Sequence, residues 1–335
     1  MYEAVARMLS KYECRGLNEY LNALREILQD IALLGLWRGK FFEKAAFYGG
    51  TALRLLHGLD RFSEDMDFSL LEPSDRFDLT NYFTFLERET EGFGFDIRIE
   101  GIDKAVHTPV QSAFLKADTR NQLLVIETGE EILKAIPKGQ ILKIKLEVDT
   151  DPPPGFATQT RYLLQPVPFS VRAFVLPDLF AGKMHAILCR RWKGRVKGRD
   201  WYDLVWYAAQ HPELHLSHLE QRMRQTGDWK EDAPLTAERF KELLIHAIHS
   251  LDVGQIRKEV EPFLIPGNGY HRILEYWNDG IMPACRQTGV LKKMGKWIIG
   301  KISLDREVNK WIIAFKTNTP IFHHSIIPCV RQYGT

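Results

Sequence analysis

Cysteine is scarce and scattered: Cys14, Cys189, Cys285 and Cys329 occur in 335 residues, with no CxxC and no paired Cys/His spacing. That pattern disfavours a disulfide framework and a structural zinc site, and it suits a reducing compartment. Long apolar runs are missing too. No stretch reaches the roughly 18 apolar residues of a membrane span, and the charged N-terminus MYEAVARMLSKYE has no signal-peptide core. A cytoplasmic protein with no membrane partner is expected. There is no excess of one charge either; the formal net charge is +2, so any basic footprint for nucleic acid must be local. GxSxG, P-loop and zinc-protease motifs are absent, which leaves serine hydrolases and P-loop NTPases without a foothold.

What is present is an ordinary globular composition, 45% hydrophobic and 26% charged, long enough for two structural units. Leu17, Tyr20, Leu21, Leu24, Ile27, Leu28 and Ile31 predict an amphipathic helix ending near Gly35. A helical stretch over 41–46 leads to the break at Gly49-Gly50, and 52–57 reads as a short helix with Thr51 at its N-cap. Residues 66–71 read as a strand, 78–90 as a helix, and 95–100 and 123–128 as strands. ILKIKLEVD, 141–149, is the clearest strand, and Asp151-Pro152-Pro153-Pro154-Gly155 after it is taken as the approach to a boundary. From Leu176 the pattern is helical: 177–189, 200–209, 216–224, 237–250 and 256–263. The expected class is α+β: an α/β unit over 1–170, a helical unit over 171–280 completing the site, and a basic tail over 281–335. The tail repeats KWII at 296–299 and 310–313 and has no assigned role.

The chemistry centres on Gly49-Gly50-Thr51, followed by Asp65-Met66-Asp67. Nucleotidyl transfer needs carboxylates that hold two divalent ions about 3.5–4 Å apart. It also needs backbone N–H groups at a helix start to hold phosphate. A Gly-Gly-Thr turn opening a helix supplies the second, and an Asp-x-Asp strand aims both acids at one place. Glu147 or Asp149, on the polar face of ILKIKLEVD, supplies the third carboxylate; Glu147 is preferred because Asp149 is nearer the proline turn. A lone DxD is usually a solvated pair and a GG usually a turn. Their order here, with a later acid-bearing strand, is what carries the reading.

A second group lies in the helical part. Lys183 is placed to meet a triphosphate as a point donor, and Asp200 and Asp203, three apart on one helix face, could orient it or serve the acceptor hydroxyl. A plain helix–helix salt bridge competes with that reading. Between them, six of the ten residues 190–199 are basic, with Trp192 among them; such a loop suits RNA phosphates and base stacking, or is simply solvated. His185 reads as a packed or surface histidine before a site residue.

Three blocks, FYGGTALRLLHGLDRFSEDMDF (47–68), DLFAGKMHAILCR (178–190) and GRDWYDLVWY (198–207), closely resemble the AbiEii/AbiGii toxin family, which includes the MenT toxins. The resemblance covers roughly residues 20–280. It implies a polymerase-β-like nucleotidyltransferase domain, a mixed sheet flanked by helices, followed by a helical C-terminal part. It further implies the toxin of a bacterial toxin–antitoxin or abortive-infection pair that uses an NTP and Mg2+ (or Mn2+). RNA, with the tRNA 3′ end foremost, is the implied acceptor, translation the implied casualty, and an AbiEi-like antitoxin the implied partner. By position, Gly49, Gly50 and Thr51 match the nucleotide-holding turn and Asp65 and Asp67 the metal-binding acids. Arg61 and Ser63 match residues expected at phosphate, Lys183 the family's lysine, and Asp200 the aspartate beyond the basic loop. Competing readings are a transferase with a protein or small-molecule acceptor, and a nucleotide-binding protein without turnover.

Overall fold

The apolar spacing of the N-terminal third builds two helices, α1 (Tyr2–Leu9) and α2 (Leu17–Arg38). The Glu19 carboxylate caps the start of α2 by accepting from the Gly16 N–H at 2.8 Å. The expected stop at Gly35 is not a stop. A Cβ there would lie 2.9 Å from the Phe85 carbonyl oxygen, so glycine serves a close helix crossing while the helix runs on to Arg38. The coordinates are a computed structural model describing residues 2–102, 109–118, 141–190, 197–211, 213–249, 251, 253–265 and 303–304. The strand expected at 123–128, residues 191–196 of the basic loop and nearly all of the 281–335 tail lie outside these.

Seven strands form one mixed sheet: β1 (Ala45–Tyr48), β2 (Asp65–Leu70), β3 (Ile97–Gly101), β4 (Val110–Asp118), β5 (Ile141–Asp149), β6 (Thr158–Leu163) and β7 (Phe169–Phe174). Their order is β3-β4-β5-β2-β1-β7-β6. The pairs β2/β5 and β1/β7 are parallel, and the other four are antiparallel. Residues 41–46, expected to be helical, give a 3-10 turn (Phe41–Glu43) and then β1. Ladder pairing of Ala45 to Leu70 and Phe47 to Phe68 overrides the local helical tendency. The proline turn at 151–155 is likewise no exit from the sheet, because β6 and β7 follow it and β7 pairs with β1.

β5 shows why the register is fixed. Leu142, Ile144, Leu146 and Val148 have no exposure at all, so a one-residue slip would bury Lys143, Lys145 and Glu147 instead. Helix α2 packs on β5 and β7, and α4 (Phe83–Gly92) packs on α2. Helix α3 (Gly49–His57) lies on β2 and touches β1, β6 and the helix at Leu176–Cys189.

After the sheet come α5 (Leu176–Cys189), α6 (Gly198–Gln210), α7 (Leu216–Gln225), α8 (Ala237–His249) and α9 (Val253–Val260). A two-residue strand β8 (Glu213–Leu214) pairs in parallel with β9 (Ser303–Leu304). The α+β class and the helix-flanked mixed sheet are as the sequence leads one to expect. No described helix is long and apolar enough to cross a membrane.

Candidate active site

Period-two alternation puts Met66, Phe68 and Leu70 in the core, at 2% exposure or less, and turns Asp65 and Asp67 to the other face. The parallel ladder then sets Lys145 beside Asp65, Glu147 beside Asp67, and Asp149 beside Ser69. From the antiparallel side Tyr48 stands opposite Asp67. One sheet face therefore carries acids from β2 and β5 in adjacent register.

The glycine turn lies directly on these acids. Gly49 sits at φ +83°, and a Cβ there would meet Asp67 Oδ2 at 2.3 Å; at Gly50 it would meet Ser63 Oγ at 3.0 Å and Arg61 Nη2 at 3.1 Å. Helix α3 starts at Gly49 with Tyr48 as its N-cap, so Thr51 is not the cap that the sequence suggests. It is fully buried in the first turn, and its hydroxyl donates to the Asp65 carbonyl. Gln29 of α2 holds the same stretch from behind, donating to the Ser63 and Glu64 carbonyls at 3.0 and 3.1 Å. Gly49→Ala is expected to lower activity at least tenfold, because both the positive φ and the Cβ clash act on Asp67. Gly58→Ala is the control: it has φ +75° but nothing within 4 Å, so it should cost stability and spare turnover. Equal activity in the two variants would remove the turn from the site.

The acids feel one another. Burial, then Asp65 and Glu147, push Asp67 up to about 6, and burial followed by Glu64 and Glu147 also raises Asp65 against Arg199 and Lys197. Glu147 turns toward the Lys145 ammonium, 2.7 Å away, and lies 3.3 Å from the Ser112 hydroxyl. Hard carboxylate oxygens on one face, with a mutual repulsion that the nearby cations only partly offset, suit divalent ions such as Mg2+, although the ligand atoms of Asp65, Asp67 and Glu147 do not all lie within 4.8 Å of one another in this arrangement. Asp149 accepts from the Asp151 N–H at 3.1 Å and stands one step further along.

Cations face the acids from the helical side. Arg199 and Lys197 act on Asp65, Lys197 and Arg190 on Asp67, and Arg222 on Asp149. Arg199 also pairs with Glu64 at 3.0 Å and lies over the Phe263 ring, 4.3 Å from its centroid. Burial and the neighbouring Lys183, Arg190 and Arg199 hold Lys197 below the usual lysine range despite Asp200.

Lys183 and Arg61 both meet the acids of α6. Lys183 Nζ lies 2.7 Å from both Asp200 Oδ1 and Asp203 Oδ2. The Arg61 guanidinium forms a fork with Asp203 at 2.7 and 2.6 Å and gives its remaining arm to the Phe62 carbonyl at 2.9 Å. Arg61 is 2% exposed and Asp203 is sealed, so Arg61 braces the loop before Asp65, with its Nη2 against the Gly50 turn. Burial opposes charge on Lys183, but Asp200 and Asp203 outweigh it and keep its pKa above the usual value. The salt bridge between these helices is present, and it is also the contact by which Asp200 and Asp203 would orient Lys183.

Asp178 is buried and accepts from the Ala157 N–H at 2.7 Å and from His215. His185 is 8% exposed; burial, then Arg222 and Arg190, push it down to about 4. Sequence reasoning missed Gln29, Lys145 and Arg222. Lys145 was legible from strand period and Gln29 as a polar residue in an apolar stripe, whereas Arg222 on α7 has no local signal.

A profile described as "Nucleotidyl transferase AbiEii toxin, Type IV TA system" matches residues 31–278. The chain belongs to the AbiEii toxin family. The resemblance of the three motif blocks is thereby borne out. No curated protein matches this AbiEii member. Among solved structures it is similar to MenT4, a nucleotidyltransferase toxin of Mycobacterium tuberculosis, at 14% identity over 90% of this chain and 99% of that one, with a TM-score of 0.48. It is also similar to JHP933 from Helicobacter pylori (14% identity, 81% and 97% covered, TM-score 0.36). An antigenic nucleotidyltransferase-like protein from Paracoccidioides brasiliensis matches at 18% identity, with 61% and 88% covered and a TM-score of 0.34. Likeness at this level carries no residue role to this AbiEii toxin.

Proposed function

We propose that this AbiEii toxin transfers a nucleoside monophosphate from an NTP to RNA, the tRNA 3′ end foremost, and so blocks translation in the cytoplasm until a cognate AbiEi-like antitoxin counters it. The observation that carries the reading is the contact of the Gly49 turn with Asp67, which brings a helix N-terminus and a carboxylate face to one place. Asp65, Asp67 and Glu147 are the residues to hold Mg2+ or Mn2+, and the register of Glu147 beside Asp67 favours it over Asp149. A bound pair of such ions supplies polarisation of the α-phosphate and a lowered pKa for the acceptor hydroxyl.

The chain's own groups do the rest. The Gly49 and Gly50 N–H groups at the start of α3 receive phosphate oxygens, with Ser63 beside Gly50. Lys197, Arg199 and Arg190 offset the triphosphate charge. Lys183 has two partners in Asp200 and Asp203, and of its three donors one is left for phosphate. Thr51 and Arg61 position the acid strand and its entry loop.

The test incubates the full chain with total RNA, Mg2+ and each α-labelled NTP in turn, and then sizes the RNA. Label in a tRNA-sized band with one NTP is the expected result, weakened by salt and by neutralising Arg190, Arg191, Lys193 and Arg195 together. Label on protein or on a small molecule, with none on RNA, would overturn the acceptor assignment.

A further inference from the structure

Helix α5 and the turn after α7 bring together three side chains that nucleotidyl transfer does not use. His185 and Cys189 are four residues apart in α5, one turn apart on one face. Helix α7 ends at Gln225, and a tight turn follows with Gly227 at φ +76°. The Gly227 N–H donates to the Arg224 carbonyl at 3.1 Å, and the Asp228 and Trp229 N–H groups donate to the Met223 carbonyl at 2.8 and 3.1 Å. Trp229 is 6% exposed, and its indole N–H donates to the Ala233 carbonyl at 3.0 Å. The turn is therefore fixed, and it sends Asp228 back over α5.

One ligand atom from each of His185, Cys189 and Asp228 lies within 4.8 Å of the other two. This is the one such trio among the described residues. Tetrahedral zinc with bonds of about 2.0–2.3 Å sets its ligands roughly 3.3–3.8 Å apart, so a small side-chain contraction closes the set. The Thr226 hydroxyl bridges the outer members: it lies 3.0 Å from His185 Nε2 and donates to Asp228 Oδ2 at 2.6 Å. That bridge is the kind of outer contact that orients metal ligands. A scan for CxxC or finger spacing passes over this set, because two ligands share one helix and the third is 39 residues further on (228 minus 189).

We infer that His185, Cys189 and Asp228 form a zinc site that pins the end of α5 to the turn after α7. Nitrogen, thiolate and a single carboxylate suit Zn2+, whereas Mg2+ takes oxygen ligands and keeps its waters. Arg222 and Arg190 act on His185 and would repel an uncompensated cation. A thiolate and a carboxylate supply the two negative charges that balance the ion. Cys189 is half-buried and Asp228 exposed, so the ion enters from solvent, and three protein ligands leave a fourth place for water. Within α5 His185 lies two residues past Lys183, and Cys189 is its last residue.

The inference stands apart from nucleotidyl transfer and is tested without it. The full chain, stripped by chelator and kept in excess Mg2+, is titrated with Co2+ and then Zn2+. One equivalent of Co2+ should give a thiolate charge-transfer absorption that Zn2+ displaces. Cys189→Ser should abolish the band, Asp228→Asn should weaken Zn2+ binding at least tenfold, and Cys14→Ser should leave both unchanged. The Asp65→Ala/Asp67→Ala double variant should still give the band. No band in the wild type, or one that survives Cys189→Ser, overturns the site.

Discussion

Asp67→Asn is expected to abolish nucleotidyl transfer while leaving the chain at least as stable as the wild type. Asp67 is the acid in contact with the glycine turn and next to Glu147, so its loss removes charge where ions and phosphate would meet. A fall on the order of a thousandfold or more is expected for one group of such a site. Stability moves the other way. Burial and the neighbouring acids raise Asp67 from 3.8 to about 6, so the ionised side chain disfavours the fold. A raised carboxylate gives its stability below the unfolded pKa and loses it as pH rises through the folded one. The wild type should therefore lose ground to Asn between about pH 4 and 7, read as urea midpoints at several pH values beside pyrophosphate release. Turnover within tenfold of wild type would remove Asp67 from the chemistry.

Asp203→Ala should give the largest loss of stability. Asp203 has no exposure and is shared by the Arg61 fork and the Lys183 ammonium. Removing it leaves a sealed guanidinium without its counter-charge, which typically costs about 3–5 kcal/mol. The Arg61→Met/Asp203→Leu double variant should recover much of that, since desolvating the pair offsets most of its attraction. Denaturant midpoints and a Mg-NTP binding isotherm check both halves. A single variant as stable as the wild type would mean that the pair does not brace the loop.

The parts legible in advance were those in which side-chain period and local chemistry agree. ILKIKLEVD declared itself because four sealed apolar residues alternate with charge, and Gly49 to Asp67 because each motif has a short-range physical purpose. Three other features depended on partners far along the chain. Gly35 looks like a helix stop until Phe85 crosses it. β1 looks helical until β2 and β7 flank it. The Arg61 guanidinium has its partner in Asp203, 142 residues away, which no local pattern announces. No window of sequence contains both members of such pairs.

Residues 259–263 also tie together α2, the entry loop to the acid strand and the start of α6. Asn22 donates to the Pro262 carbonyl at 3.0 Å, the Phe62 N–H to that of Phe263 at 2.8 Å, and the Gly198 N–H to Glu259 at 2.9 Å. A nascent polypeptide that has delivered only the seven sheet strands thus lacks the clasp that shapes its own reaction centre. On the proposed chemistry, the reaction centre is complete only once residues 259–263 have been added to the sheet and α6.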